Sequence, residues 1–233
     1  MRSAPGLRQP WADISERFQR NRFFGRTAGF LSLRKPFVCV YHPRMTNQSR
    51  ALPTLSRSVA VGALGFGLTS LCVFATVAFG ERWMYEQLGL SGAYLVWTAL
   101  FILLGGAALG SLVMGRWRLP KFYLLYGFAF FAYAVGWIGA YFTLRGSAGE
   151  WVGSVAGSVL MALVFALGFG AMRLIPTLSV ILFVANSLGY FAGSALNDYF
   201  GGKVGMLLWG IAYGVLLGAG IGAVLYLSQV RKE

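Results

Sequence analysis

Residues 205–228 read GMLLWGIAYGVLLGAGIGAVLYLS, a stretch without one charged side chain. A bilayer core about 30 Å thick is crossed by roughly 20 apolar residues in an α-helix, so this stretch predicts a membrane-spanning helix. Five further apolar stretches lie at 58–79, 92–114, 122–143, 152–172 and 178–198. The polar residues between the six stretches predict connecting loops at 81–87, 116–121, 145–150, 173–176 and 198–203. The predicted fold class is therefore all-α, a polytopic transmembrane bundle of about six helices.

The composition agrees with a chain that lies mostly in a bilayer. Of its 233 residues, 57% are hydrophobic and only 12% are charged, and the mean hydropathy is +0.65. A soluble domain of this length carries about twice that share of charged residues. The lipid bilayer is thus the expected surrounding, and the protein is expected to be an integral membrane protein.

Basic residues predict how the segments are oriented. The net charge is +13, but eleven of the twenty Lys and Arg residues precede Ser58, and the others flank the apolar stretches. With a cytoplasmic N-terminus, seventeen of the twenty fall inside and only Arg82, Arg145 and Lys203 fall outside. Because cytoplasmic loops are enriched in Lys and Arg, we expect both termini on the cytoplasmic side of a bacterial inner membrane. Anionic lipid headgroups, and no nucleic acid, are the expected partner of this charge.

The chain divides into three predicted parts. Residues 1–57 form a basic cytoplasmic segment that is largely disordered or lies at the membrane surface, residues 58–229 form the six-helix domain, and residues 230–233 form a cytoplasmic tail. Trp11, Ile14 and Phe18 share one helical face, which permits a short amphipathic helix. Translation from Met45 is a further alternative, in which residues 1–44 carry no function.

Glycines recur at four-residue spacing in several predicted helices: Gly106 and Gly110, Gly153 and Gly157, Gly189 and Gly193, and Gly210, Gly214, Gly218 and Gly222. This spacing puts each set on one helix face, where a neighbouring backbone can approach closely. Two interpretations stay open, namely packing within one chain and a subunit interface. We expect a tightly packed last helix and association as a homodimer or with other membrane subunits.

A weak internal similarity suggests two inverted three-helix repeats. Leu109-Gly110-Ser111 stands seventeen residues before Gly127, as Ala192-Gly193-Ser194 stands before Gly210. Three helices separate the two copies, so the halves would have opposite orientations, as in many transporters.

Two stretches carry a family resemblance. Residues 104–116 (LGGAALGSLVMGR) resemble a helix end in the membrane domain fused to spermidine-synthase-like proteins and, more loosely, a loop of major-facilitator transporters. Residues 185–193 (ANSLGYFAG) are similar to the Asn-Thr-Leu-Gly element of that membrane domain. The acidic residue of the facilitator loop has no counterpart here, and no aminopropyltransferase sequence follows the last helix. The resemblance therefore implies a six-helix, transporter-like half-bundle without polyamine synthesis.

Residue types that are absent from the predicted spans argue against several kinds of functional site. The only histidine, His42, precedes the first span, which argues against bis-histidine haem ligation, a histidine metal site and a Ser-His protease within the bundle. No carboxylate falls at the predicted bilayer midplane, where proton-coupled carriers usually place one. We expect no enzyme activity, no cofactor and no metal.

Asn186 is the most informative polar residue, since an amide deep in hydrocarbon needs a hydrogen-bond partner. It either holds helices together or lines a solute path, with Asn197 and Asp198 near that path. The third helix also carries a stripe of aromatic side chains, which packs against lipid or binds a lipophilic ligand. The favoured function is a non-enzymatic, transporter-like or accessory membrane protein. The alternative is a small carrier of a neutral, lipophilic or cationic solute.

Overall fold

The computed structural model describes residues 53–113 and 118–230, with side chains from Leu119 onward in the second stretch. Predictions about residues 1–52 and 231–233, including the amphipathic helix and the start at Met45, lie outside the described residues. The described part consists of helices and short connections, without strands: α1 (Leu55–Leu109), α2 (Arg118–Leu144), α3 (Gly146–Phe169), α4 (Ile175–Phe200) and α5 (Gly202–Val230), with 3-10 turns at Gly110–Leu112 and Met172–Leu174. All five helices are long and apolar enough to cross a membrane. The predicted all-α class is confirmed, and the five helices are compatible with a multi-pass membrane protein.

Helix α1 begins earlier than the hydropathy pattern predicts. Its N-cap is Thr54, whose side-chain oxygen accepts a hydrogen bond from the Arg57 backbone N–H at 3.3 Å. Such a cap satisfies one of the free N–H groups of the first helical turn. The helix therefore starts at Leu55, three residues before the predicted span.

The prediction of a loop at 81–87 is wrong, because these residues continue α1 as helix to Leu88. Glu, Met and Gln are good helix formers, so a run of polar residues lowers hydropathy without ending a helix. The break occurs instead at Gly89, whose φ of 66° and ψ of 177° are non-helical. Gly89 thus divides α1 into a first arm, residues 55–88, and a second arm, residues 90–109.

The two arms of α1 pack side by side and run in opposite directions. Near the start of the first arm, the Phe66 ring stacks on the Phe101 ring with centroids 5.7 Å apart. Closer to the break, Val73 shares a small buried cluster with Ala93 and Trp97. Residues increasingly far from Gly89 on one arm thus meet residues increasingly far from it on the other, and α1 folds back on itself.

Three turns at one end of the helices have the same backbone conformation. Gly89 has φ 66° and ψ 177°, Arg145 has φ 57° and ψ 164°, and Gly201 has φ 64° and ψ 171°. Each follows the previous one by 56 residues. The residues that follow Arg145 and Gly201 also have positive φ, 57° at Gly146 and 53° at Gly202. The connections predicted at 145–150 and 198–203 therefore shrink to the pairs Arg145-Gly146 and Gly201-Gly202.

Arg145 occupies a conformation that is normally restricted to glycine. Replacing Arg145 by Gly is expected to raise the free energy of unfolding by about 1 kcal/mol, since released backbone strain exceeds the entropy cost of the added glycine. Thermal unfolding in detergent measures the change. Arg145→Ala removes the same charge but keeps a Cβ, and a gain of equal size from that variant would contradict the strain explanation.

Glycines let the first arm of α1 lie directly against α5. A Cβ on Gly218 would overlap the Gly62 carbonyl oxygen, and a Cβ on Gly222 would overlap the Ser58 carbonyl oxygen. One turn further along, a Cβ on Gly214 would lie 2.9 Å from the Gly67 Cα. We call this contact the glycine seam. Its close backbone approach is possible only where side chains are absent.

The remaining helices close the bundle around one apolar core. Helix α3 packs against α2 and α4, and α5 packs against α4 and the first arm of α1. The largest fully buried side chains include Tyr126, Phe66, Phe122, Phe165 and Met161. The core therefore lies between all five helices.

Candidate functional site

Five polar side chains from four helices form a continuous buried network, which we call the polar network. Tyr213 Oη of α5 donates to Tyr133 Oη of α2 at 3.1 Å, and Tyr133 Oη donates to Asn186 Oδ1 of α4 at 2.8 Å. Asn186 Nδ2 donates to Ser154 Oγ of α3 at 2.8 Å, and this oxygen lies 2.7 Å from Ser187 Oγ. One chain of hydrogen bonds thus joins α2, α3, α4 and α5.

The network is shielded from the surroundings of the bundle. Asn186 is 0% exposed and the other four members are 9% exposed or less. Both functional ends of the Asn186 amide are used, since its oxygen accepts from Tyr133 and its nitrogen donates to Ser154. An unpaired amide here would cost about 1–3 kcal/mol, so the geometry stabilises the bundle by avoiding that cost.

One hydroxyl near the network has no partner among the described residues. Ser158 lies one helical turn after Ser154 on α3, and its Oγ is buried without a hydrogen bond. Ser70 on the first arm of α1 is buried and unpaired in the same way. The interior therefore retains donor capacity beside the network.

The predicted solute-path residues are not brought together. Asn186 lies in the core, whereas Asp198 is exposed and Asn197 is half-buried near the end of α4. Eleven residues separate Asn186 from Asn197, which is about 16 Å along a helix. Asn197 instead packs against Gly205, where an added Cβ would lie 2.9 Å from its Oδ1.

The predicted interface glycines all face side chains or backbone of the same chain. The structure places Gly106 against Tyr123, Gly110 against Leu119, Gly189 against Tyr213, Gly193 against Trp209, Gly210 against Phe74, Gly214 against Ser70, and Gly218 and Gly222 against the first arm of α1. Each of these faces is therefore occupied within one chain.

The aromatic stripe of α2 divides between two faces. Phe122, Tyr126 and Phe130 are buried in the core, whereas Phe128 and Phe131 are each 60% exposed. Tyr133 continues the buried face into the polar network. The inward half of the stripe thus packs the core, and the outward half remains available to lipid or a lipophilic molecule.

Sequence reasoning identified Asn186 but missed the two tyrosines that complete its network. From the sequence, Tyr133 is interpreted only as one ring of the aromatic stripe, and Tyr213 is assigned no role. A usable signal was their position: each lies twelve residues from a chain reversal, Tyr133 before Arg145 and Tyr213 after Gly201. Equal distance from the same end of the bundle puts both hydroxyls at one depth.

A second, smaller polar contact lies nearer that end. Tyr190 Oη donates to Glu150 Oε1 at 3.2 Å, and the Tyr190 ring lies 5.7 Å from both the Trp137 and Trp209 rings, measured between centroids.

No matching family model, curated protein or solved structure was found for the chain. Within residues 53–113 and 118–230, no three His, Cys, Asp or Glu side chains are grouped as a metal site would require.

Proposed function

We propose that the chain is a non-enzymatic membrane protein with six crossings that acts as an accessory subunit through helix packing. The observation that supports this proposal is the polar network. Its side chains form hydrogen bonds with one another inside a closed core and do not line a solute path. A protein whose interior is committed to packing acts through its outer surface. Its partners in this proposal are other membrane subunits in a bacterial inner membrane, with or without a second copy of the chain.

The length and folding of α1 support the proposed sixth crossing. The first arm would be about 51 Å long at 1.5 Å per residue, enough to traverse a core of about 30 Å. The second arm returns antiparallel to it. Each arm is therefore assigned one crossing, and both termini then lie on the same side, which the distribution of Lys and Arg makes cytoplasmic.

Cysteine labelling tests the crossings. In a chain with Cys39 and Cys72 replaced by Ser, single cysteines at Gln87 and Ser147 are expected to react with a membrane-impermeant maleimide added from the same side. A cysteine at Met172 is expected to react only from the opposite side. If Gln87→Cys reacts from the side of Met172→Cys, α1 does not cross twice and the six-crossing proposal fails.

The accessory role is tested by the native mass of the complex extracted from its own membrane in mild detergent. Stoichiometric foreign membrane subunits are the expected result, and their loss should accompany loss of this chain. A clean homodimer without other chains would contradict the accessory role and direct the work to solute uptake.

A small carrier is the second candidate, moving a neutral, lipophilic or cationic solute. The unpaired Ser158 hydroxyl beside the polar network favours it, because a solute or water on a transport path needs free hydrogen-bonding groups. Two inverted three-helix repeats, and the resemblance of residues 104–116 and 185–193 to a transporter-like domain, belong to this candidate. A carrier predicts that Asn186→Leu abolishes uptake with the fold intact, whereas an accessory subunit predicts lost assembly.

A further inference from the structure

A cavity of about 590 Å³ lies where α3 passes into α4, at the end of the bundle opposite the turns at Gly89, Arg145 and Gly201. Its wall includes Phe169 at the end of α3, Met172 and Arg173 of the following 3-10 turn, and Ser228 near the end of α5. This volume falls in the range of small-molecule sites in proteins. The cavity lies outside the polar network and is not used by the proposed accessory role.

Ser228 supplies an unused hydrogen-bonding group in this wall. The residue is 0% exposed, and its hydroxyl has no hydrogen-bond partner within the described residues. A buried hydroxyl in a helix is normally paired, so an unpaired one that lines a cavity has the chemistry to donate to a bound acceptor.

Arg173 supplies a positive charge at the same place. It is exposed, and the described part of the chain contains one salt bridge, Arg82 to Glu86, at the other end of the bundle. A guanidinium without a carboxylate partner is well suited to phosphate, which it can bind through two N–H groups.

The start of α4 carries the partial positive charge of its helix dipole, which favours an anion nearby. This contribution comes from the field rather than from free N–H groups, because the Ile175 N–H donates to the Met172 carbonyl oxygen and Pro176 has no N–H. Phe169 and Met172 provide apolar surface beside these polar groups, as an amphiphilic ligand requires.

We propose that this cavity binds a phosphate-bearing anion, with Arg173 pairing with the phosphate and the Ser228 hydroxyl donating a hydrogen bond to it. The anion is either the headgroup of an anionic phospholipid or a soluble phosphate. Both present the same group to the cavity, and they differ in whether acyl chains remain in the bilayer.

The test uses the full chain, purified in detergent and delipidated. Native mass spectrometry compares retention of phosphatidylglycerol and phosphatidylcholine, and thermal unfolding measures stabilisation by inorganic phosphate. Wild type is expected to retain phosphatidylglycerol in preference, or to be stabilised by phosphate. A preference for the lipid alone identifies a headgroup site, and stabilisation by phosphate identifies a soluble ligand.

Four variants locate the effect. Arg173→Gln is expected to weaken binding about tenfold and Ser228→Ala about threefold, as for loss of a charged and a neutral hydrogen bond. Arg145→Gln removes an arginine at the opposite end and should leave binding unchanged. Circular dichroism verifies the fold of Arg173→Gln, and Arg173→Lys, which keeps the charge, should recover part of the binding. Equal losses in Arg173→Gln and Arg145→Gln, or no discrimination by wild type in either assay, would overturn the proposal.

Discussion

Gly218→Leu is expected to cause one of the largest losses of stability that a single substitution in the bundle can produce. The new side chain would enter the glycine seam, where even a Cβ overlaps the Gly62 carbonyl oxygen and lies 2.7 Å from the Phe66 Cβ. A backbone oxygen cannot rotate away as a side chain can, so α5 and α1 must separate. We expect a loss of roughly 3 kcal/mol or more of unfolding free energy, measured by thermal unfolding in detergent.

Gly139→Leu is the matched control for the glycine seam. Gly139 is also a helical glycine in a predicted span, but a Cβ there meets nothing within 4 Å. Its substitution should change the unfolding free energy by no more than about 0.5 kcal/mol. A similar loss in both variants would show that glycine content, and not the α1–α5 contact, determines stability.

Asn186→Leu is expected to lower the free energy of unfolding by about 2 kcal/mol. It removes the acceptor of Tyr133 and the donor to Ser154, and it leaves both hydroxyls in the core. The expected loss of unfolding free energy is limited because interhelical hydrogen bonds in membranes contribute about 0.6 kcal/mol each on average. Reversible unfolding in mixed micelles provides the measurement.

Two further variants separate the network from a general effect of losing an amide. Asn197→Leu replaces the same residue type on the same helix outside the network, and it should cost less than about 0.5 kcal/mol. Tyr133→Phe should cost less when introduced into Asn186→Leu than into wild type, since the two residues share one hydrogen bond. Additive losses would show that the two side chains are not coupled.

The all-helical class and most span positions follow from the sequence because an apolar run of about 20 residues has few other structures available. Where polar residues are also good helix formers, as at Glu81 to Gln87, hydropathy predicts a loop that helix propensity does not support. Asn186 was identifiable from its burial cost alone. Its partners Tyr133 and Tyr213 depend on which helices are neighbours, and local sequence does not specify that.

The two-residue reversal at Arg145 and Gly146 constrains how the protein enters its membrane. Helix α3 continues directly from this turn, so no slack chain exists to let α2 settle in lipid while α3 waits outside. The same holds for α4 and α5 across Gly201. Each pair must therefore leave the insertion machinery as a unit, and a residue that impairs the partitioning of one helix into lipid also delays its neighbour.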